Sequence, residues 1–449
     1  MLQKAQIMYD RMAFNFMNNP GSCNGNILMR FKLSSLIFWL LLLSVALRMG
    51  LSNPLLNSFY PYAVKGGGLY QKIHPGTCVA LFLFLMVFFL RDPLVFLSEQ
   101  RSYQFSVFQF SVMIVLMAVI SIVQFGFGGT AYMVDTFAFS AIYIMLMAYL
   151  TDKQQNHLVY IVILIVCVNS LIALWEFVCE YHLIKSDFTF GFFRSSALFG
   201  HPLTNALITA TTAIAVLKMP WSFIIKSCVM GLMVLSLLTF GGRGSLGAWL
   251  TGLLLFFVGA PFLNRTTTFN EKLGKLLALY VGLIAVTAVL GYVIFGTEIG
   301  RPIASRLMMD DSIESRFNSL SVVNSFGRSD LLWGQALGSF ESSVEKSGIV
   351  TVVENFWIVL LLRSGLPVFV VFVASLFYLL YQMIKQGNWI DGIITLVFFL
   401  AASTNNSLST KSTSLAVFFI LVAGTRNIGK AAGGSSGELN DEKYEIQIR

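Results

Sequence analysis

The sequence predicts an all-α protein, a polytopic bundle of about twelve transmembrane helices with one large, partly helical loop on its outer side. Three observations predict this. Of 449 residues, 56% are hydrophobic and 12% charged, with a mean hydropathy of +0.75, whereas a soluble chain of this length carries about 25% charged residues. Runs such as Cys78–Leu90, Ser111–Val123, Tyr160–Val168 and Leu277–Phe295 contain no charged side chain and lie inside longer apolar stretches. Lysines and arginines recur in alternate connections, as cytoplasmic loops require. The same arithmetic weighs against a nucleic-acid-binding protein, a disulfide scaffold and a β-barrel, whose strands would alternate in short segments. The five cysteines are scattered and form no CxxC pair, so they read as packing residues.

The elements follow in order. Residues 1–32 hold Lys4, Arg11, Arg30 and Lys32 and no cleavage site after a short apolar stretch, which suggests a cytoplasmic tail and no signal peptide. Spans one to nine occupy 33–296, near 33–50, 74–90, 104–124, 131–150, 158–178, 196–217, 221–240, 244–262 and 277–296. Residues 297–352 form an outer loop far longer than the other connections, with apolar residues at helical spacing and glycines at turn positions. The last three spans lie within 353–425, near 353–383, 389–403 and 411–425. Residues 426–449 are Gly/Ser-rich and then charged, so a disordered cytoplasmic tail is expected. Arg91, Arg101, Lys153, Lys218, Arg265, Lys272, Lys275, Lys385, Arg426 and Lys430 all fall on one side of this threading, with both termini.

That orientation makes its exceptions informative. Arg194, Arg243, Arg301, Arg306, Arg316, Arg328 and Arg363 fall on the outward side or at outward helix ends, where basic residues are disfavoured. An anion handled at the outer face is the simplest reason to keep them there. The bland alternative is local neutralisation, for instance of Glu314 by Arg316 or of Asp330 by Arg328. Arg194 and Arg243 have no acid within three residues.

Three stretches could carry chemistry. Phe193 to Asn205 opens the sixth span with Arg194, small polar residues, and His201 beside Pro202. An ionisable group at that depth is a functional candidate, and a packed, hydrogen-bonded histidine at a proline is its plain alternative. Thr239 to Ser245 is a glycine hairpin with Arg243 at the start of the next helix, where free amides and the helix dipole favour an anion. A guanidinium with five donors there suits a phosphate or diphosphate. In the long loop, Arg328-Ser329-Asp330 and Trp333 to Phe340 precede Glu354-Asn355 at the mouth of the tenth span. Glu354 could accept a proton from an attacking hydroxyl, or the pair could simply cap the helix. There is no P-loop and no HExxH, and the first outer loop has no acid to hold a divalent cation. Metal-independent chemistry with no cofactor is therefore expected, with arginines stabilising charge.

In their order around one large outer loop, these stretches resemble the O-antigen polymerase and O-antigen ligase superfamily of bacterial membrane glycosyltransferases. The resemblance covers roughly 190–370. It rests on Arg194 with Gly200-His201-Pro202, on Gly242-Arg243-Gly244, on Gly334, Gly338, Ser339 and Phe340, and on Glu354-Asn355 with Gly365-Leu366. Two departures are plain. Asn205 does not directly follow the proline, and Glu354 stands where ligases carry histidine, which leans the reading toward the polymerase branch. The resemblance implies a metal-independent, inverting glycosyltransferase of the bacterial inner membrane, acting at its periplasmic face. Its donor would be a polyprenyl-diphosphate-linked oligosaccharide. Its acceptor would be a second lipid-linked repeat unit for a polymerase, or lipid A core for a ligase. A partner controlling chain length would suit a polymerase. Arg194 and Arg243 would hold the diphosphate, with Arg316 and Arg328 next in line. Glu354 would act as base or acceptor-orienting group with His201 as its rival, and Asn355 and Trp333 would meet the glycan. A polysaccharide transporter or flippase is the alternative from another class, and it would depend on intramembrane acids such as Glu176.

Overall fold

The structure is a computed structural model that describes residues 21–63, 69–90, 102–126, 130–184, 193–263, 321–347 and 353–427, with scattered positions between 274 and 296. Its helices are α1 (Gly21–Gly50), the short α2 (Asn53–Asn57), α3 (Pro75–Leu90), α4 (Ser102–Phe125), a π-helical turn (Met133–Ala138) running into α5 (Phe139–Met147), α6 (Asp152–Cys179), α7 (Pro202–Ala215), α8 (Phe223–Phe240) and α9 (Arg243–Leu263). After the long loop come α10 (Arg328–Trp333), α11 (Leu337–Ser347), α12 (Phe356–Ser364), α13 (Leu366–Gln386), α14 (Trp389–Ser403) and α15 (Ser414–Gly424). There is no strand among the described residues.

Five segments are long and apolar enough to cross a membrane: Leu33–Gly50, Phe105–Gln124, Asp152–Cys179, Phe223–Phe240 and Leu366–Gln386. The other apolar helices are shorter, including Trp389–Ser403 and Ser414–Gly424. The described residues thus hold fewer full-length spans than the twelve expected. The span expected at 277–296 falls almost wholly outside them, as do residues 297–320 and the tail from 428.

Burial on α6 shows what kind of surface the bundle presents. A capping box starts this helix, with Thr151 Oγ1 accepting from Gln154 N and Gln154 Oε1 accepting from Thr151 N. One stripe, Leu164, Val168, Leu171, Trp175 and Val178, is exposed and wholly apolar. The opposite stripe is buried and carries Asn169, Ser170 and Glu176. Polar-in and apolar-out reverses the pattern of a soluble helix and fits a membrane-embedded protein. Exposed Phe82, Phe89, Val123, Phe223 and Ile224 extend the apolar outer surface.

Helix α7 is the centre of the bundle. All its residues are buried, and it packs against α8, α9, α14 and α15. Small residues allow close crossings. A Cβ on Gly252 would collide with Val397 across the α9–α14 contact.

Two expected spans differ from the threading. The one placed at 196–217 becomes α-helical only at Pro202, because residues 193–200 are held in a non-helical turn by other helices. The one placed at 353–383 is two helices, broken at Gly365. Gly365 has φ +77 and is followed by a proline in the first turn of α13. The described part of the long loop docks on this break. Gln335 N donates to Leu362 O at 3.0 Å, and a Cβ on Gly334 would meet the backbone of Arg363 and Gly365. Beneath it Phe326, Phe340 and Val344 form a small core with Ile358, Val359 and Leu362.

Candidate functional site

The ends of many helices meet in one polar layer, and the turn before α7 is its best-built part. Ser195 N donates to Thr239 O at 3.2 Å, and Ser195 Oγ donates to Ala173 O at 2.7 Å. Glu176 Oε2 accepts from Ser196 N and Ala197 N at 2.8 and 2.9 Å, and its Oε1 accepts from Leu183 N at 2.9 Å. Asn169 Oδ1 accepts from Leu198 N at 2.9 Å, while its amide donates to Asn205 Oδ1 at 2.8 Å. Asn205 Nδ2 in turn donates to Ser196 O and His201 O. Residues 169, 173 and 176 share the buried face of α6, so one helix holds the whole turn in place. Ala197 is left-handed, at φ 41, a conformation that costs a non-glycine residue about 1–2 kcal/mol. The hydrogen bonds offset that cost.

This clamp orients Arg194 toward the glycine hairpin. A Cβ built on Gly241, which has φ +65, would lie 3.4 Å from Arg194 Nε. Arg243 opens α9 two residues later. The hairpin is pressed between neighbours. A Cβ on Gly242 would collide with Ala206, and one on Gly244 with Thr404. Only glycine fits these two positions. Together the turn and the hairpin bring two guanidinium-bearing residues and a helix N-terminus to one region, an arrangement suited to an anion.

The other expected residues are less concentrated. His201 caps α7, its Nδ1 accepting from Leu203 N at 3.2 Å, and the Arg194 charge acts on it. Asn355 caps α12, its Oδ1 accepting from Trp357 N and Ile358 N at 3.0 and 3.3 Å. Glu354, next to that cap, is half-buried. Arg328 is exposed at the first position of α10, and Trp333 is 64% exposed at its last. Arg363 lies over the Tyr132 ring at 4.5 Å. Arg316 lies outside the described residues.

Sequence reading missed two components. The first is the segment 404–414, TNNSLSTKSTS, read as a plain connection over 404–410 and as the start of the last span from 411, yet non-helical up to Ser414 apart from one 3-10 turn and largely buried at Asn405, Ser407, Ser409, Ser412, Thr413 and Ser414. It ties the layer together. Asn405 O accepts from Phe356 N, Ser407 Oγ from Thr204 Oγ1, Thr410 O from Thr136 Oγ1, and Lys411 O from Asn53 Nδ2. Its near-continuous run of polar residues between two apolar helices was the available signal. The second is a buried ionic knot. Arg48 donates to Tyr62 Oη at 3.0 Å and to Asp135 O at 3.1 Å. Asp135 Oδ2 accepts from Tyr62 Oη at 2.7 Å and its Oδ1 from His74 N at 3.1 Å. Lys411 Nζ lies 3.9 Å from the Tyr62 ring centroid and donates to Tyr62 O and Lys72 O. Asp135 sits in the π-helical turn, a feature frequent at functional sites.

Among the described residues, no three His, Cys, Asp or Glu side chains converge as metal ligands would. No family model matches the sequence, and no curated protein matches it.

Proposed function

We propose that the protein is a membrane-embedded, metal-independent, inverting glycosyltransferase that polymerises polyprenyl-diphosphate-linked oligosaccharide repeat units at the periplasmic face of the bacterial inner membrane. The observation that carries this reading is the packing of Arg194 against Gly241, two residues from Arg243. A transferase of this class expels a diphosphate, so negative charge grows on the leaving group in the transition state. Preorganised guanidinium groups beside backbone amides in a partly dry layer stabilise that charge most. In the proposed step, the acceptor hydroxyl attacks the anomeric carbon from the face opposite the leaving group. The C–O bond to the diphosphate breaks, and Glu354 takes the hydroxyl proton. Arg194 and Arg243 hold the diphosphate, and Arg316 and Arg328 contribute from the long loop. His201 caps a helix and belongs to the support of this site. Asn355 and Trp333 are the proposed glycan contacts. In this reading the chain crosses the membrane about twelve times, with both termini cytoplasmic.

The ligase reading differs only in its acceptor, lipid A core, and Glu354 weighs against it. A transporter would use Glu176, yet that carboxylate already accepts three backbone N–H groups, which suits a structural clamp. The deciding experiment supplies purified protein in nanodiscs with a polyprenyl-diphosphate-linked repeat unit and no metal. A ladder of longer glycans, lost in Arg243→Ala, supports the polymerase. Product only after lipid A core is added makes it a ligase. No product with the native donor removes the transferase reading.

A further inference from the structure

His182 takes no part in the chemistry proposed above, yet it touches the arginine segment twice. It sits on the exit from α6, where Glu180 turns the chain at φ 48. Glu176 ties down the residues on either side of it. Tyr181 N donates to Glu176 O at 3.2 Å, and Leu183 N donates to Glu176 Oε1 at 2.9 Å. From this fixed point the imidazole reaches the turn before α7. Its ring stacks on Phe193, with centroids 4.5 Å apart and planes at 20°. Its Nδ1 lies 3.1 Å from Ser196 Oγ. Phe193 and Ser196 flank Arg194 in the chain, so one ring holds side chains before and after the arginine.

Hydrogen-bond accounting fixes the direction of the second contact. Ser196 is fully buried, and His182 is the one hydrogen-bond partner of its hydroxyl among the described residues. The hydroxyl therefore donates to Nδ1, and the neutral ring carries its proton on Nε2. Glu176 Oε2 lies 3.8 Å from Nδ1, beyond a hydrogen bond, and takes its donors from Ser196 N and Ala197 N. A phenylalanine at 182 would keep the stack but strand a buried hydroxyl. An imidazole serves both contacts.

We propose that His182 is a positioning residue for the anion site, sharing with Glu176 the setting of Arg194's direction. This rests on the anion site proposed above. Glu176 fixes the backbone of the turn through its amides. His182 fixes the two side chains that flank Arg194, which resists twisting of the 193–196 segment. A guanidinium on a long side chain stabilises a leaving group best when its direction is set beforehand, because ordering it on binding costs entropy. His182 thus acts on the anion through Arg194.

The test measures binding of inorganic pyrophosphate to full-length protein in nanodiscs by calorimetry, with thermal unfolding alongside. His182→Phe keeps the stack and removes the acceptor. It should weaken binding about fivefold, the loss expected of one hydrogen bond, at an unfolding temperature close to wild type. His182→Asn places an amide oxygen near the position of Nδ1 and should recover most of that loss. His182→Gln, whose amide extends to the Nε2 position, should not. The deciding measurement is made in an Arg194→Ala background. A residue that acts through Arg194 has nothing left to aim there, so His182→Phe should change affinity by less than about twofold. Additive losses in the double variant, wild-type affinity in His182→Phe, or a loss that merely follows the unfolding temperature would overturn the assignment. If wild-type protein binds no pyrophosphate, the anion site fails. In that case, or if Arg194→Ala binds too weakly to measure, amide exchange of residues 193–198 decides for His182. Faster exchange in His182→Phe but not in His182→Asn upholds its grip on the arginine segment, and equal exchange in the two ends it.

Discussion

Glu176 and Ala197 are joined by one hydrogen bond inside the turn that precedes α7. The carboxylate, fully buried on α6, accepts Ala197 N at 2.9 Å and so holds an alanine in the left-handed region. Arg194 lies three residues earlier and inherits its direction from this point.

Glu176→Gln should therefore be more damaging than its shape suggests. Glutamine brings one acceptor oxygen and an amide that cannot accept, so either Leu183 N, or both Ser196 N and Ala197 N, would face a donor. A buried donor without an acceptor costs about 1–3 kcal/mol. The expected outcome is a lower unfolding temperature in detergent together with weakened pyrophosphate binding. A Glu176→Gln protein of wild-type stability and affinity would remove the clamp from the account. Ala197→Gly, which accepts φ 41 without strain, should keep stability within about 1 kcal/mol of wild type.

The glycine hairpin offers a rescue experiment. Gly244→Ala would drive its Cβ into Thr404, and the built contact to Thr404 Cβ is 2.5 Å, so trimming the hydroxyl alone gives no relief. Gly244→Ala should lose most activity and about 1–3 kcal/mol of stability by overpacking. Adding Thr404→Gly should restore much of both. Thermal unfolding and glycan-ladder formation of the single and double variants check this, and equal damage in the two would refute steric contact as the cause.

Loss of Arg243 itself should act on the chemical step. Removing one preorganised donor from a developing anion costs about 10²–10³ in rate. Arg243→Ala should show that loss with an unchanged unfolding temperature. Arg243→Lys should recover little, because an ammonium cannot reproduce the guanidinium fork.

Breaking the ionic knot should cost stability first. Asp135→Ala would remove the carboxylate that accepts from Tyr62 Oη and His74 N and would leave the cations Arg48, 4% exposed, and Lys411 without the negative charge beside them. Orphaning a buried charge in this way costs about 3–5 kcal/mol. Tyr62→Phe keeps the carboxylate but removes the hydroxyl that links it to Arg48, so it should cost about 1–3 kcal/mol, less than Asp135→Ala. Thermal unfolding of the two variants tests the ranking, and a milder effect from Asp135→Ala would contradict it.

A second buried pair lies apart from the polar layer. Lys218 Nζ donates to Asp391 Oδ1 at 2.6 Å with side chains 4% and 1% exposed. Lys218→Met alone should destabilise by about 3 kcal/mol or more, and the Lys218→Met/Asp391→Asn pair should recover part of it because no charge is then stranded. A double-mutant cycle with no coupling would show that the pair is not a stability element.

Composition and local pattern determined the broad class. Charge scarcity and long apolar runs predicted an all-helical chain with helices able to cross a membrane, because burial of backbone polar groups in hydrocarbon leaves few other solutions. The glycines of the 239–245 hairpin and the polar residues of 193–205 were visible for the same local reason: they interrupt apolar runs. Gly365 before Leu366-Pro367 also carried a local signal for a break, which the apolar length of the stretch masked.

The tertiary structure alone decided which of these pieces meet. Arg48 reaches Asp135 across 87 positions, Thr204 reaches Ser407 across 203, and Asn53 reaches Lys411 across 358. Hydropathy and periodicity describe how one helix faces its surroundings. They hold no information on which distant partner satisfies a buried hydroxyl, amide or charge. Glu176 showed in sequence only as an acid inside a span. Its role as the clamp on Arg194's turn exists only once α6, the turn and the glycine hairpin are packed together.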